Sequence, residues 1–172
     1  MKEAISSSLK IRNDLKPGDI GYLIFLHGML YAEEYGWDHT FEGYVAEPLA
    51  EFAKFHKDRE RIWIVERAGT VAGSIGIVEA TPENAQLRWF LLHPDLRGHG
   101  LGKNLIEQAL QFCKDCHYSL VFLWTTSELR AAASLYRSHG FQLVEANTHK
   151  MWGAMVTEQR YELRLIRSNP QF

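Results

Sequence analysis

The apolar positions fall into two rhythms that change along the chain. A short alternating stretch at Leu9–Asn13 predicts an opening strand. After Pro17-Gly18-Asp19, a helix start with Asp19 as the cap, Ile20, Leu23, Ile24, Leu26 and Leu30 recur at helical spacing to about Tyr35, and Gly36 closes the helix. Asp38 caps a second helix carrying Phe41, Tyr44, Val45, Leu49 and Phe52 to about Phe55. The period then shortens. Arg61–Glu66 and Thr70–Glu79 read as strands around the turn Arg67-Ala68-Gly69, and a third strand runs from about Gln86 to His93. A helix is predicted from Gly100 to Cys116 and an apolar strand, buried on both faces, from Ser119 to Thr125. A helix from Ser127 to Ser138 ends at His139-Gly140, and strands follow at Phe141–Glu145 and Arg160–Ile166. The order is mixed α/β, helices before an antiparallel meander and then alternating strand and helix.

Length and composition narrow this. A chain of 172 residues suits one domain spanning 1–172, and 46% hydrophobic residues supply a core. Lys and Arg (19) nearly balance Asp and Glu (21), and no basic run gives a nucleic-acid footprint. The N-terminus lacks the apolar core of a secretory signal, and no stretch approaches a membrane span, so a cytoplasmic protein without membrane partner is expected. Cys113-Lys114-Asp115-Cys116-His117 matches the C-x-x-C-H of haem attachment, but it ends an amphipathic run where a redox pair would open a helix. Helix-end cysteines, with no haem and no metal, are the expectation.

The chemistry concentrates in Leu91-Leu92-His93-Pro94-Asp95-Leu96-Arg97-Gly98-His99-Gly100-Leu101-Gly102. Pro94 ends strand pairing, the glycines let backbone approach a ligand, and the free amides of a helix start favour an anion. Arg97 adds a charged donor. The spacing fits neither the dinucleotide-binding G-x-G-x-x-G nor a Walker loop, since Lys103 precedes Asn104. On these residues alone the turn is either a phosphate cradle or a glycine turn with no ligand.

Arg97-x-x-Gly100-x-Gly102 after His-Pro resembles the [Q/R]-x-x-G-x-[G/A] motif of the GNAT superfamily of N-acetyltransferases. Ala132-Ala133-Ser134-Leu135-Tyr136-Arg137-Ser138-His139-Gly140-Phe141 resembles its second signature, A-x-x-L-Y-x-x-x-G-F. The order of elements is also similar. The resemblance implies a GNAT fold with a mixed sheet of about seven strands and acetyl-CoA as the acetyl donor. It implies acetylation of a primary amine, on a small molecule or a protein, by direct attack in a ternary complex. The alternative is a non-catalytic acyl-CoA sensor, and a homodimer is the commonest assembly for such a chain.

The resemblance also assigns residues. The pantetheine arm would lie along Leu91 and Leu92, and the pyrophosphate over Arg97, Gly98, His99, Gly100, Leu101, Gly102 and Lys103. Tyr136 would give a proton to the leaving thiolate. Where the superfamily often has an asparagine seven positions before this tyrosine, Leu129 stands here, so Thr126 or Ser127 would supply the cofactor contact. His27, Tyr31 and Glu34 share one helical face, with Glu34 the candidate base or ammonium contact. Glu79, Arg88, His93 and His149 are further candidates, and Tyr31, Tyr35, Trp37 and Trp124 would line an acceptor pocket. A narrower likeness runs through His27-x-x-Leu30-Tyr31-Ala32-x-Glu34-Tyr35-Gly36-Trp37, similar to acetyltransferase domains fused behind MarR-type regulators. Too little chain precedes the first helix for a winged helix, so the catalytic domain is expected to stand alone.

Overall fold

The computed structural model describes residues 9–165. Its elements are β1 (Leu9–Arg12), α1 (Asp19–Tyr35), α2 (Thr40–Phe55), β2 (Arg61–Arg67), β3 (Thr70–Glu79), β4 (Asn84–Leu92), α3 (Leu101–Asp115), β5 (Leu120–Thr126), α4 (Arg130–Ser138), β6 (Gln142–Met151) and β7 (Ala154–Arg164). The strands form one sheet in the order β1-β2-β3-β4-β5-β7-β6, antiparallel except where β4 meets β5. The predicted fold class and order of elements are borne out.

Helices cover both faces. On one, Leu105, Ile106, Ala109 and Phe112 of α3 pack with Trp63, Ile75, Ile77 and Val121. On the other, Leu23 of α1 and Phe41, Val45, Leu49 and Phe52 of α2 pack with Ile62, Ile64, Trp89 and Val156. Alternate residues of β2 thus serve opposite cores, and the whole run Ile62–Val65 is buried. Ala68 and Gly69 join β2 to β3 with both φ angles positive (49° and 81°), the two-residue turn that matches strand twist.

Several details differ from the sequence reading. Asp19 does not cap α1. Its carboxylate accepts the Lys16 amide at 2.7 Å and two Arg12 bonds at 2.8 Å, and Arg12 Nε donates to Glu66 at 2.8 Å. An ionic clamp thereby ties β1 and β2 to the start of α1, which begins after Gly18 instead of under a side-chain cap. Asp38 does accept the Thr40 amide, at 3.0 Å. β5 is not buried on both faces: Leu120, Phe122 and Trp124 are half-exposed while Val121 and Leu123 are buried. The last hairpin is longer than predicted at Phe141–Glu145 and Arg160–Ile166, because nearly every residue of β6 is exposed and no alternation marks it. Ile166 lies outside the described residues, as do residues 1–8 that bear on a leader sequence. Cys113 is buried in the core and Cys116 follows α3, both as free thiols; burial raises the Cys113 thiol far above its ordinary range.

Candidate active site

The site begins where two parallel strands part. β4 and β5 pair only at Asn84, Ala85 and Gln86 against Leu120, Val121 and Phe122. Beyond Gln86, β4 pairs as a strand only with β3, and beyond Phe122, β5 pairs only with β7. A bulge opens the split further. Trp89 adopts a positive φ of 51°, the β3–β4 register slips between Ser74 and Gly76, and Ser74 Oγ donates to the Trp89 carbonyl at 2.6 Å. Ala85 and Leu87 face the α3 side and so does Leu92, whereas Trp89 packs with Phe52 of α2. Arg88 and Trp89 therefore turn toward the α2 side together, with the guanidinium 5.6 Å from the indole centroid. Gly76 makes room, since a Cβ there would sit 2.5 Å from the Trp89 ring.

At the C-terminal end of β4 the chain turns through a short 3₁₀ segment, Pro94–Leu96, in which the His93 ring accepts the Asp95 amide at 3.3 Å. Gly98 and Gly100 follow with φ of 77° and 80°, a backbone that disfavours any side chain. The first helical bond of α3 runs from the Asn104 amide to the Gly100 carbonyl. Among the described residues the amides of 98 to 103 have no hydrogen-bond partner. Those of Gly98, Gly100, Gly102 and Lys103 edge a groove of about 350 Å³ that Leu91, Leu92, Ala132 and Leu135 help to line. This is the geometry that cradles a phosphate.

Arg97 is engaged already. Its Nε donates to the Leu92 carbonyl at 2.9 Å, and its two terminal nitrogens bond the Glu34 carboxylate at 2.9 and 2.7 Å. The guanidinium holds the Glu34 carboxyl below the usual carboxylate range. A carboxylate so committed makes a poor base, and it lines this groove and not the aromatic cavity beside it.

That cavity, about 110 Å³, lies between α1, α2 and the split. Trp37, Phe41, Trp124 and Trp152 form aromatic walls, with Trp37 and Trp152 centroids 4.5 Å apart. His27 is buried there; its Nδ1 donates to the Leu23 carbonyl at 2.7 Å, leaving Nε2 as an acceptor. Burial lowers its pKa to about 4, so the ring is neutral at ordinary pH. The Trp89 indole N–H and the hydroxyls of Thr125 and Thr126 are buried without partners, and all three residues line the cavity. Tyr136 also lines it, packed on Phe90, Phe141 and Tyr161, and burial pushes its phenol well above the ordinary range. Tyr31, Phe90 and Leu129 border both hollows, so groove and cavity meet there.

Of the residues singled out in the sequence, the structure brings Leu91, Leu92, Arg97, Gly98, Gly100, Gly102 and Lys103 into the groove with Glu34 and Tyr35. His27, Tyr31, Arg88, Trp124, Thr126 and Tyr136 line the cavity. His99 is exposed, Leu101 packs on the core, and exposed Ser127 uses its amide on Thr157; none of the three lines either hollow. Glu79 is tied to Lys57 and Arg59, away from the split, and His149 lies 2.8 Å from Glu158 at the hairpin. Sequence reasoning missed Phe41, Thr125, Phe90 and Trp152. Trp152 was findable: with Gly153 it makes a positive-φ turn whose carbonyl accepts the Asp38 amide at 3.0 Å, folding the β6–β7 tip over α2. Among the described residues no cluster of His, Cys, Asp or Glu has a metal-binding arrangement, and no helix is long and apolar enough to cross a membrane.

The sequence matches the acetyltransferase (GNAT) family over residues 29–141. The chain belongs to that family. An N-acetyltransferase of Schizosaccharomyces pombe is 30% identical over 122 residues, covering 69% of this chain and 74% of the relative. The chain spans less of other curated relatives, 44% of human N-acetyltransferase 8B and 66% of an Escherichia coli N-acetyltransferase. A crystal structure of an acetyltransferase from Streptococcus agalactiae superposes with a TM-score of 0.76 at 19% identity, over 92% of this chain and 99% of that one. The spermidine N-acetyltransferase of Vibrio cholerae, solved with CoA and spermine, gives 0.68 at 22% identity, over 92% and 96%. At such identities these two structures establish the fold. By family, the chain is an acetyltransferase.

Proposed function

We propose that this acetyltransferase moves an acetyl group from acetyl-CoA to a primary amine by direct attack, with both substrates bound at once. One observation carries the reading: a groove edged by unpartnered amides of the 98 to 103 turn, at Gly98, Gly100, Gly102 and Lys103, meets an aromatic cavity at Tyr31, Phe90 and Leu129. Donor and acceptor would enter from opposite sides and react at that junction. CoA bound to family structures, as in the Vibrio enzyme, supports the donor, and its spermine supports an amine as acceptor.

The pantetheine arm runs along Leu91 and Leu92, using the β4 edge that β5 leaves free. The pyrophosphate sits on the amides of the Gly98–Gly102 turn. Lys103 supplies positive charge, while Glu34 positions Arg97 against the turn. In the cavity, His27 Nε2 accepts an N–H of the incoming amine, and water takes its proton to solvent, since a ring with pKa near 4 holds a proton poorly. The neutral amine attacks the thioester carbonyl, the C–N bond forms, and a β4 amide meets the oxyanion. As the C–S bond breaks, the Tyr136 phenol gives its proton to the departing thiolate, and the proton shed by the new amide nitrogen restores the phenol; burial, which raises the phenol's pKa, makes the first of these transfers the demanding one. His27, Tyr31, Glu34, Tyr35 and Trp37 border one hollow or the other, which supports reading the segment similar to MarR-fused acetyltransferases as substrate-facing.

The test is CoA release from acetyl-CoA across a panel of primary amines, followed by a thiol reagent and by mass spectrometry of the acetylated product. Turnover with at least one amine is expected. Saturable acetyl-CoA binding without release on any acceptor would put the sensor reading in its place.

A further inference from the structure

Among the described residues, Arg88 is the one Lys or Arg that lines the aromatic cavity, and it has no ion-pair partner. Arg12, Lys57, Arg59, Arg67, Arg97 and Arg160 each lie within 3.3 Å of a carboxylate. Arg88 lines the acceptor cavity with no carboxylate in reach among the described residues. Its polar contact is the neutral Gln86 amide oxygen at 3.4 Å, and its flat face turns toward Trp89. Burial works against its charge. The carboxylate that shares the cavity wall, Glu158, has His149 Nε2 2.8 Å away. Tyr44, beside Arg88, contributes a neutral phenol.

A partly buried guanidinium without a counter-ion is unfavourable in an empty cavity and favourable once an anion arrives. Strand alternation from Ala85 and Leu87 puts Arg88 on this side of the sheet, and the bulge at Trp89, which Gly76 makes room for, keeps the indole there beside it. Arg88 lies two residues along β4 from Phe90, where cavity and groove meet, a separation of about 7 Å at most. Guanidinium and junction thus lie on one wall of the cavity, within the span of a single small molecule.

We propose that the acceptor is a small amine that also carries a carboxylate, held by the Arg88 guanidinium with its apolar body against Trp37, Phe41, Trp124 and Trp152. The proposal rests on the amine-acetylation reading above. A guanidinium binds a carboxylate through two parallel bonds, and a polyamine, all positive, is repelled by it. The orphan hydroxyls of Thr125 and Thr126 then serve the polar atoms between acid and amine.

The experiment compares phenylalanine with phenylalaninamide, phenethylamine and spermidine as acceptors, in the wild-type protein and in Arg88→Gln and Arg88→Lys. For the wild type, kcat/KM for phenylalanine should exceed that for phenethylamine by about ten- to a hundredfold, the worth of a charge-assisted pair. Arg88→Gln should cut this ratio at least about tenfold, and Arg88→Lys should restore part of it. Binding gives a second readout: N-acetylphenylalanine should bind the CoA-loaded protein, and Arg88→Gln should lose that binding. Phenethylamine or spermidine turned over as well as phenylalanine, with a ratio unmoved by Arg88→Gln, would overturn the anchor while leaving amine acetylation intact. Failure of every amine alongside retained, Arg88-dependent binding of the acid would instead remove the catalytic reading and keep the anchor.

Discussion

The groove beside the glycine turn and the aromatic cavity lie side by side but are built from different materials. The groove owes its anion-binding edge to backbone: unpartnered amides at Gly98, Gly100, Gly102 and Lys103, two glycines with positive φ, and the free edge of β4. About half of its lining comes from one continuous stretch, 90 to 103, and the rest from α1 and the start of α4. The cavity is made of side chains, contributed by α1, α2, β4, β5, α4 and the tip of the β6–β7 hairpin. A backbone site tolerates variation in most of its side chains, so one donor can be kept while acceptors change. A side-chain site changes specificity with single substitutions.

The sharpest way to break this contrast is at Gly100. Gly100→Glu places a carboxylate on the phosphate cradle in a backbone region that disfavours it, and should abolish measurable acetyl-CoA binding by calorimetry while the circular dichroism spectrum stays folded. Retained affinity would mean that the groove does not bind through its amides. Tyr136→Phe comes next. With the phenol in its proposed role at the leaving group, the substitution should lower kcat by about 10²- to 10⁴-fold and leave the KM for acetyl-CoA within a few-fold. An unchanged kcat removes Tyr136 as the acid.

The smallest effect concerns His27, which reports on the cavity alone. Its folded pKa near 4 lies below the ordinary 6.5, so between those values the unfolded chain binds a proton that the folded one does not. Stability should therefore fall as pH drops through that window, by about 3 kcal/mol in all, from 2.5 units at 1.36 kcal/mol each. Urea unfolding from pH 7 to pH 4 measures it. His27→Asn, whose amide can still donate to Leu23, should flatten that slope. An equal slope in the variant would place the titration elsewhere, in the carboxylates of the Arg12 clamp for example.

The same contrast explains what could be read from the sequence. Glycine spacing, His93-Pro94 and the Leu135-Tyr136 helix are local signals, and local signals survive in a linear string. The cavity needed tertiary knowledge. Trp89 sits in an apolar run, Trp-Phe-Leu-Leu, that reads as plain strand, and only the register against β3 reveals the bulge. The commitment of Glu34 to Arg97 spans 63 positions and cannot be seen from the helical face that carries Glu34. β6 was truncated in the reading because an exposed edge strand lacks alternation.

The three-residue seam between β4 and β5 has a mechanical consequence. β1 to β4 and β5 to β7 are two antiparallel half-sheets whose strands pair with each other only at Asn84–Gln86, with α3 packed across both. A ligand arm laid along β4 acts as a cross-brace between them. Rigidity in this molecule would then be supplied partly by its own substrate, with the loaded enzyme stiffer than the empty one and the seam the place where product release begins.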